Sequence, residues 1–368
     1  MNLMELIVFL AGLVLLVVGG EFLVRGASRI AGMARISPLV VGLTIVAFGT
    51  SAPELAVSVQ SAVGGDADIA VGNVVGSNIF NVLFILGVSA LIAPLTVAQQ
   101  LIRLDVLVMI GASLVLLALA LDNNLGRFDG TVLLLGWAVY TILVIWLSRR
   151  VSKDVELEYD AAFGAPESAG RGNRIILPVA YMLIGLGLLV LGARWLVDSA
   201  VAVATDLGVS SLVIGLTIVA GGTSLPEVAT SVIAAIRGER DIAVGNVVGS
   251  NIFNILSVLG ITSLVAQNGI AVDPAALRFD MPVMVAVAIA CLPFFFTGYT
   301  IVRWEGLVFV GYYIAYTLYL ILDATGHDAI DSYRTAMLYF VIPLTILTIA
   351  VVTAGAIRRW TPSASAQR

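Results

Sequence analysis

The 368-residue chain has a single cysteine, Cys291, and a single histidine, His327. One cysteine excludes an intramolecular disulfide, and the two residues together leave no material for a Cys/His metal cluster. Charge is scarce too: Asp, Glu, Lys and Arg make up 12% of the chain, against about 25% in soluble domains. That scarcity excludes an ordinary soluble domain, and neither a nucleic-acid partner nor a protein partner can be read from the sequence. The N-terminal MNLMELIVFLAGLVLLVVGGEFLV lacks a basic n-region and a small-residue cleavage site, so it reads as a first span and not as a signal peptide. What remains is apolar: 60% hydrophobic residues and a mean hydropathy of +1.06. Runs of about 20 apolar residues, enough to cross a bilayer core, recur from end to end. The composition predicts an all-α polytopic membrane protein in a lipid bilayer.

Eleven spans are expected, near 3–24, 38–64, 68–93, 102–121, 130–149, 174–197, 211–236, 241–266, 281–299, 302–322 and 334–357. The polar stretch Arg150–Gly172, mixed in charge and containing Gly, Ser and Pro, reads as a solvated linker. The expected organisation is a five-helix repeat over 1–149, a cytoplasmic linker over 150–173, a second five-helix repeat over 174–322 and an extra helix over 334–357. An odd number of spans per half makes the second half enter from the opposite side, giving an inverted-topology 5+5 repeat. Fifteen of the 19 Lys and Arg residues fall on the side carrying the 25–37 and 150–173 loops. By the positive-inside rule that side is cytoplasmic, which places the N-terminus outside and the C-terminus inside a cell (inner or plasma) membrane. The outer side collects acidic residues, among them Asp66, Asp122, Asp206, Asp280 and Asp328, which would raise the local cation concentration.

The strongest signal is repetition. DIAVGNVVGSNIFN occurs at Asp68–Asn81 and again at Asp241–Asn254, 173 residues later, and 39–93 agrees with 212–266 at 37 of 55 positions without a gap. Each copy puts a glutamate in apolar surroundings: Glu54 in GTSAPE and Glu227 in GTSLPE. A carboxylate at membrane depth is costly and points to function. Each follows a proline, Pro53 or Pro226, which removes a backbone donor and predicts a kink that frees carbonyls around Ala47–Thr50 and Ala220–Thr223. Carbonyls, Thr and Ser hydroxyls and a carboxylate per half form an all-oxygen environment suited to hard cations such as Ca²⁺ and Na⁺. In the next span Asn73, Ser77, Asn78 and Asn81, and likewise Asn246, Ser250, Asn251 and Asn254, follow at helical spacings. Gly72, Gly76, Gly245 and Gly249 are expected to let those helices approach a neighbour closely. A lone GxxxG, Ser or Asn in a span usually serves packing, and a lone Glu can be a protonated packing residue. The same set repeated at constant offset argues instead for one pocket holding both glutamates, with two negative charges for one divalent cation.

These motifs resemble the two α-repeats of the cation/calcium exchanger superfamily, most closely the prokaryotic sodium/calcium exchangers, over roughly residues 1–322. The resemblance implies that Glu54 and Glu227 coordinate Ca²⁺ with the backbone carbonyls of Thr50 and Thr223. It implies one Na⁺ site lined by Ser51, Ser77 and the Ala47 carbonyl, and a mirror site lined by Ser224, Ser250 and the Ala220 carbonyl. Asn81 and Asn254 would lie between the glutamates, and spans 1 and 6 would slide against the other eight. Family members often carry an acidic residue where this chain has Asn254, so here two carboxylates remain and the driving ion stays open.

The expected function is a secondary antiporter exporting Ca²⁺ against Na⁺, with Ca²⁺/H⁺ or K⁺-dependent exchange as alternatives. No cofactor is expected; the ions are cargo. A cation channel could use duplicated acids as a selectivity ring, but inverted, broken helices suit a transporter better. An enzyme would need a nucleophile–base pair or a catalytic metal, and no His or Cys lies near the polar clusters. Glu21 and Arg194, equivalent in the two halves, are expected to snorkel to opposite interfaces without pairing.

Overall fold

A chain crossing lipid must satisfy its own backbone hydrogen bonds, so its spans are helices and any break falls where protein covers it. The computed structural model describes residues 3–34, 36–163, 171–214, 217–218, 220–296, 298–348 and 350–351. The first half contains α1 (Leu3–Ala34), the pair α2 (Pro38–Thr50) and α3 (Ala52–Gly64), α4 (Ile69–Ile92), α5 (Leu101–Asp122) and α6 (Arg127–Phe163). The second contains α7 (Arg171–Asp206), α8 (Ser211–Ile214), α9 (Ala220–Gly222), α10 (Leu225–Ile236), α11 (Arg240–Val265), α12 (Ala276–Phe296) and α13 (Arg303–Ala324). Among the described residues eight helices are long and apolar enough to cross a bilayer, and α2 with α3 makes a ninth. The short helices α8 to α10 fill the equivalent place in the second half, giving about ten spans in all.

Two expectations change. The eleventh span, 334–357, is not borne out: α14 (Ile330–Ala336), a π turn at Met337–Val341 and a helical run through 348 are described, and the remainder lies largely outside the described residues. The stretch from Arg150 is not an irregular linker throughout, because α6 continues to Phe163 and α7 starts at Arg171. VSKDVELEYDAAF has no Gly or Pro before Gly164, so helix propensity carries the helix past its apolar run.

The core is built around α4 and α11, whose repeated phrase fills the centre; every residue from Ile242 to Phe253 is buried. The small residues explain part of this. A Cβ on Gly249 would stand 2.6 Å from the Leu43 carbonyl oxygen, and one on Gly245 would stand 3.0 Å from that of Leu39. The same expectation is not met at Gly72 and Gly76, where nothing lies within 4 Å among the described residues. The equivalent of the Leu39–Ala47 segment, residues 212–220, is only partly described.

Outside this core α1 and α7 cross in backbone contact. Gly12 meets the Gly192 carbonyl, Gly19 that of Gly185, and Gly26 that of Pro178, so a Cβ at any of them would stand 2.7–2.9 Å from a backbone oxygen. Two helices this close pack as one unit. Two antiparallel ladders tie loops of opposite halves: β1 (Leu95–Thr96) pairs with β4 (Thr300–Ile301), and β2 (Asn124–Leu125) with β3 (Ile270–Ala271). Turns of π-helix fall at matching positions, Asn81–Leu86 with Asn254–Val258 and Leu101–Asp105 with Ala276–Asp280. Such widened turns often mark functional sites, and the first pair begins on the two asparagines that end the repeated phrase.

Candidate ion-binding site

The proline breaks form as expected. α2 and α3 meet at a 43° bend, with Ser51 at φ −85°, ψ 10°, and Ser224 adopts φ −88°, ψ 8° before α10. With Pro53 unable to donate, the ladder resumes only at Leu55, whose N–H bonds the Ser51 carbonyl at 3.2 Å; Val228 bonds that of Ser224 at 3.1 Å. The Thr50 and Thr223 carbonyls therefore lie at the breaks. The Ala47 carbonyl already accepts from the Ser51 N–H at 3.0 Å and the Thr50 hydroxyl at 3.4 Å, which engages both of its lone pairs, so it is less free than the sequence suggested. Ala220 begins α9, just before the second break.

Both glutamates sit in the first turn after the break, fully buried, and each is held by the other half. Ser51 donates to Glu227 Oε1 at 2.9 Å, and Ser224 donates to Glu54 Oε1 at 3.0 Å. Ser224 also lies 3.1 Å from the Ser77 hydroxyl. This exchange of partners ties each carboxylate to the broken helix of the opposite half. The amide nitrogens of Asn81 and Asn254 donate to Asn251 Oδ1 (3.0 Å) and Asn78 Oδ1 (3.2 Å) across the repeat boundary.

What is left over defines the chemistry. Glu54 Oε2, Glu227 Oε2, Asn81 Oδ1, Asn254 Oδ1 and Ser250 Oγ are buried without a hydrogen-bond partner. A buried acceptor without a donor costs free energy, and a carboxylate oxygen costs more than a neutral one. Oxygens of this kind, two of them on carboxylates, are the hard ligands that suit cations such as Ca²⁺ and Na⁺. Among the described residues no group of three or more His, Cys, Asp or Glu could hold a metal.

Behind these residues lies a relay that motif matching left unassigned. Asn246 donates to Ser231 at 3.0 Å and accepts from the Thr50 hydroxyl at 3.1 Å. Its mirror, Asn73, donates to Ser58 at 3.0 Å and to the Glu54 carbonyl at 3.2 Å, and accepts from Thr223 at 3.4 Å. Ser58 and Ser231 also stand 173 residues apart, so the repeat contained the signal. Asn246→Ala is expected to loosen Thr50 and weaken apparent Ca²⁺ affinity about 10-fold, the effect usual for partners that orient ligands. Ca²⁺ dependence of initial uptake measures it.

Other polar residues behave differently from expectation. Asp280, counted with the outer acids, is half-buried and accepts from Tyr316 at 2.7 Å, as buried Asp105 does from Tyr140 at 3.0 Å. The aspartates of this second mirrored pair are offset by 175 residues and the tyrosines by 176, because extra residues follow Ala266, and a gapless comparison misses it. Glu21 does not simply snorkel: it pairs with Arg25 and, across to α10, with Arg237. Arg194 stays largely exposed, 3.8 Å from Asp198, and does not meet Glu21.

Comparison with known proteins agrees with this architecture. A family profile described as "Sodium/calcium exchanger protein" matches residues 4–146 and 177–322, the two halves. The chain is 41% identical over 285 residues to the putative antiporter CaxA of Alkalimonas amylolytica, covering 77% of this chain and 87% of that one. It is 33% identical to the sodium/calcium exchanger MaX1 of Methanosarcina acetivorans, covering 85% and 97%. A solved structure of the sodium-calcium exchanger NCX_Mj superposes with a TM-score of 0.71 at 32% identity, covering 85% and 98%. Two inverted halves, a buried carboxylate from each held by a serine of the other, and these matches over most of the chain agree: the protein belongs to the sodium/calcium exchanger family, whose members are ion exchangers and not enzymes.

Proposed function

We propose that this multi-pass membrane protein exports Ca²⁺ from the cytoplasm in exchange for Na⁺ by alternating access, with its N-terminus outside and its C-terminus inside the cell membrane. Glu54 and Glu227 bind Ca²⁺ with the Thr50 and Thr223 carbonyls. Ser51, Ser77 and the Ala47 carbonyl serve one Na⁺, and Ser224, Ser250 and the Ala220 carbonyl another, with Asn81 and Asn254 between. The observation that carries this reading is the pair of buried carboxylates, each with one oxygen fixed by the opposite half and one without a partner. An empty pocket holds two uncompensated charges at membrane depth and does not readily change sides, so transport becomes exchange.

Asymmetry between the halves supports alternating access. On α10 Pro226 and Thr230 are buried and Ala229 and Ile233 half-buried, and a Cβ on Gly20 of α1 would stand 2.6 Å from Ile233. On α3 the equivalent Ala56, Val57 and Gln60 are exposed. Two halves of nearly the same sequence in different packing are what a transporter needs in order to exchange roles.

Proteoliposomes with Na⁺, K⁺ and H⁺ gradients imposed one at a time test the reading. Ca²⁺ uptake is expected only against an opposing Na⁺ gradient. Uptake driven by a pH gradient alone would replace Na⁺ by H⁺, which the two-carboxylate pocket also accommodates, since two protons neutralise it. Asn254→Asp adds a third negative charge and is expected to recruit a further monovalent ion, seen as steeper Na⁺ dependence of uptake.

A further inference from the structure

Alternating access requires a closed face that reopens, and the halves differ in what closes them. Where α1 covers α10, Glu21 of α1 accepts from both Nε and Nη2 of Arg237, the residue that caps the C-terminal end of α10. Arg25, one turn along α1, shares the same carboxylate. A two-pronged guanidinium–carboxylate contact fixes geometry as well as charge. At the equivalent positions on the other face, offset by 173, stand Arg194 for Glu21 and Gly64 for Arg237. Arg194 has 79% of its side chain exposed, and Gly64 has no neighbour within 4 Å. The Glu21–Arg237 ion pair joins the α1/α7 unit to the end of α10.

We infer that Glu21–Arg237 is a one-sided latch that holds α1 on α10 and must part when the pocket changes sides. This rests on the alternating-access reading and adds to it a pair of positioning residues outside the ion pocket. The glycine contacts of α1 with α7 give the latch its reach: a release at α10 frees the crossed pair as a unit, so the uncovered face of α3 is covered in exchange. The absence of an equivalent pair makes the two end states unequal, with the closed α10 face favoured.

The test uses single cysteines in a Cys291→Ala background, Ile233→Cys under α1 and Gln60→Cys on the uncovered face of α3, labelled with a small maleimide in proteoliposomes. Adding Glu21→Gln is expected to speed labelling of Ile233→Cys about 3–5-fold, as for a partly exposed ion pair, and to slow that of Gln60→Cys. Arg237→Gln is expected to do the same, and the double variant no more than either single one, because the two side chains act as a unit. Unchanged labelling at both positions overturns the latch. Faster labelling at both also overturns it, since general loosening is then the cause. Na⁺-driven Ca²⁺ uptake by the parent protein is measured alongside. Its presence with unchanged labelling sinks the latch alone, whereas its absence with opposite labelling shifts sinks the exchange reading and leaves the latch standing.

Discussion

Glu54→Gln and Glu227→Gln are each expected to reduce Na⁺-driven Ca²⁺ uptake by roughly 100-fold or more, the scale of an uncompensated charge in a buried pair. Glutamine keeps the shape of the side chain and an oxygen able to accept from Ser224 or Ser51, so the cross-repeat hydrogen bonds survive. What is lost is one of two negative charges facing a doubly charged ion, and neutral oxygens cannot replace it at that depth. The near-mirror arrangement makes the two substitutions equivalent, and both proteins should elute from size exclusion as the parent does. Undiminished uptake in either variant would sink the assignment, because a pocket built on one glutamate has no use for the second half.

Gly185→Val is expected to abolish recovery of folded protein. A Cβ at Gly185 would lie 2.6 Å from the Leu23 amide nitrogen and 2.7 Å from the Gly19 carbonyl oxygen, atoms that belong to backbone and cannot rotate away. The helices must separate along their whole crossing, and overpacking of this kind costs about 3 kcal/mol or more. Two residues on, Gly187 is exposed with nothing within 4 Å, so Gly187→Val is the control and should be recovered normally. Comparable yield and thermal stability of both variants in detergent would show that α1 and α7 are not locked together.

Much of this was legible before any coordinates. The constant 173-residue offset gave the inversion, the two carboxylates and the proline breaks, and the serines of GTS proved to hold the opposite glutamate. Legibility failed where the relevant physics leaves no apolar or polar period. The π turns that begin at Asn81 and Asn254 follow from packing, not from residue type. The Asp105–Tyr140 and Asp280–Tyr316 pairs are hidden by a shift of two residues at the aspartates and three at the tyrosines from the 173-residue register. The continuation of α6 to Phe163 was missed because polarity was read as loop, although helix propensity does not depend on burial. Glu21 and Arg194 stay apart, as inversion of the halves predicts, whereas the partner of Glu21, Arg237, has only Gly64 as a counterpart and leaves no repeated signal.

The two short ladders have a bearing on biogenesis. Leu95 bonds in register with Ile301, and Asn124 with Ala271, so an edge made early in synthesis waits for a strand translated some 150 to 200 residues afterwards. The amides of Asn78 and Asn251, which bond each other's backbone carbonyls at 3.2 and 3.3 Å, impose the same delay at the centre. A ribosome that has delivered only the first five helices has therefore delivered something unfinished, with polar edges and an acid still lacking their counterparts. Maturation is a late event, and an ancestor encoding a single half would have needed a second molecule, inserted upside down, to reach the same end.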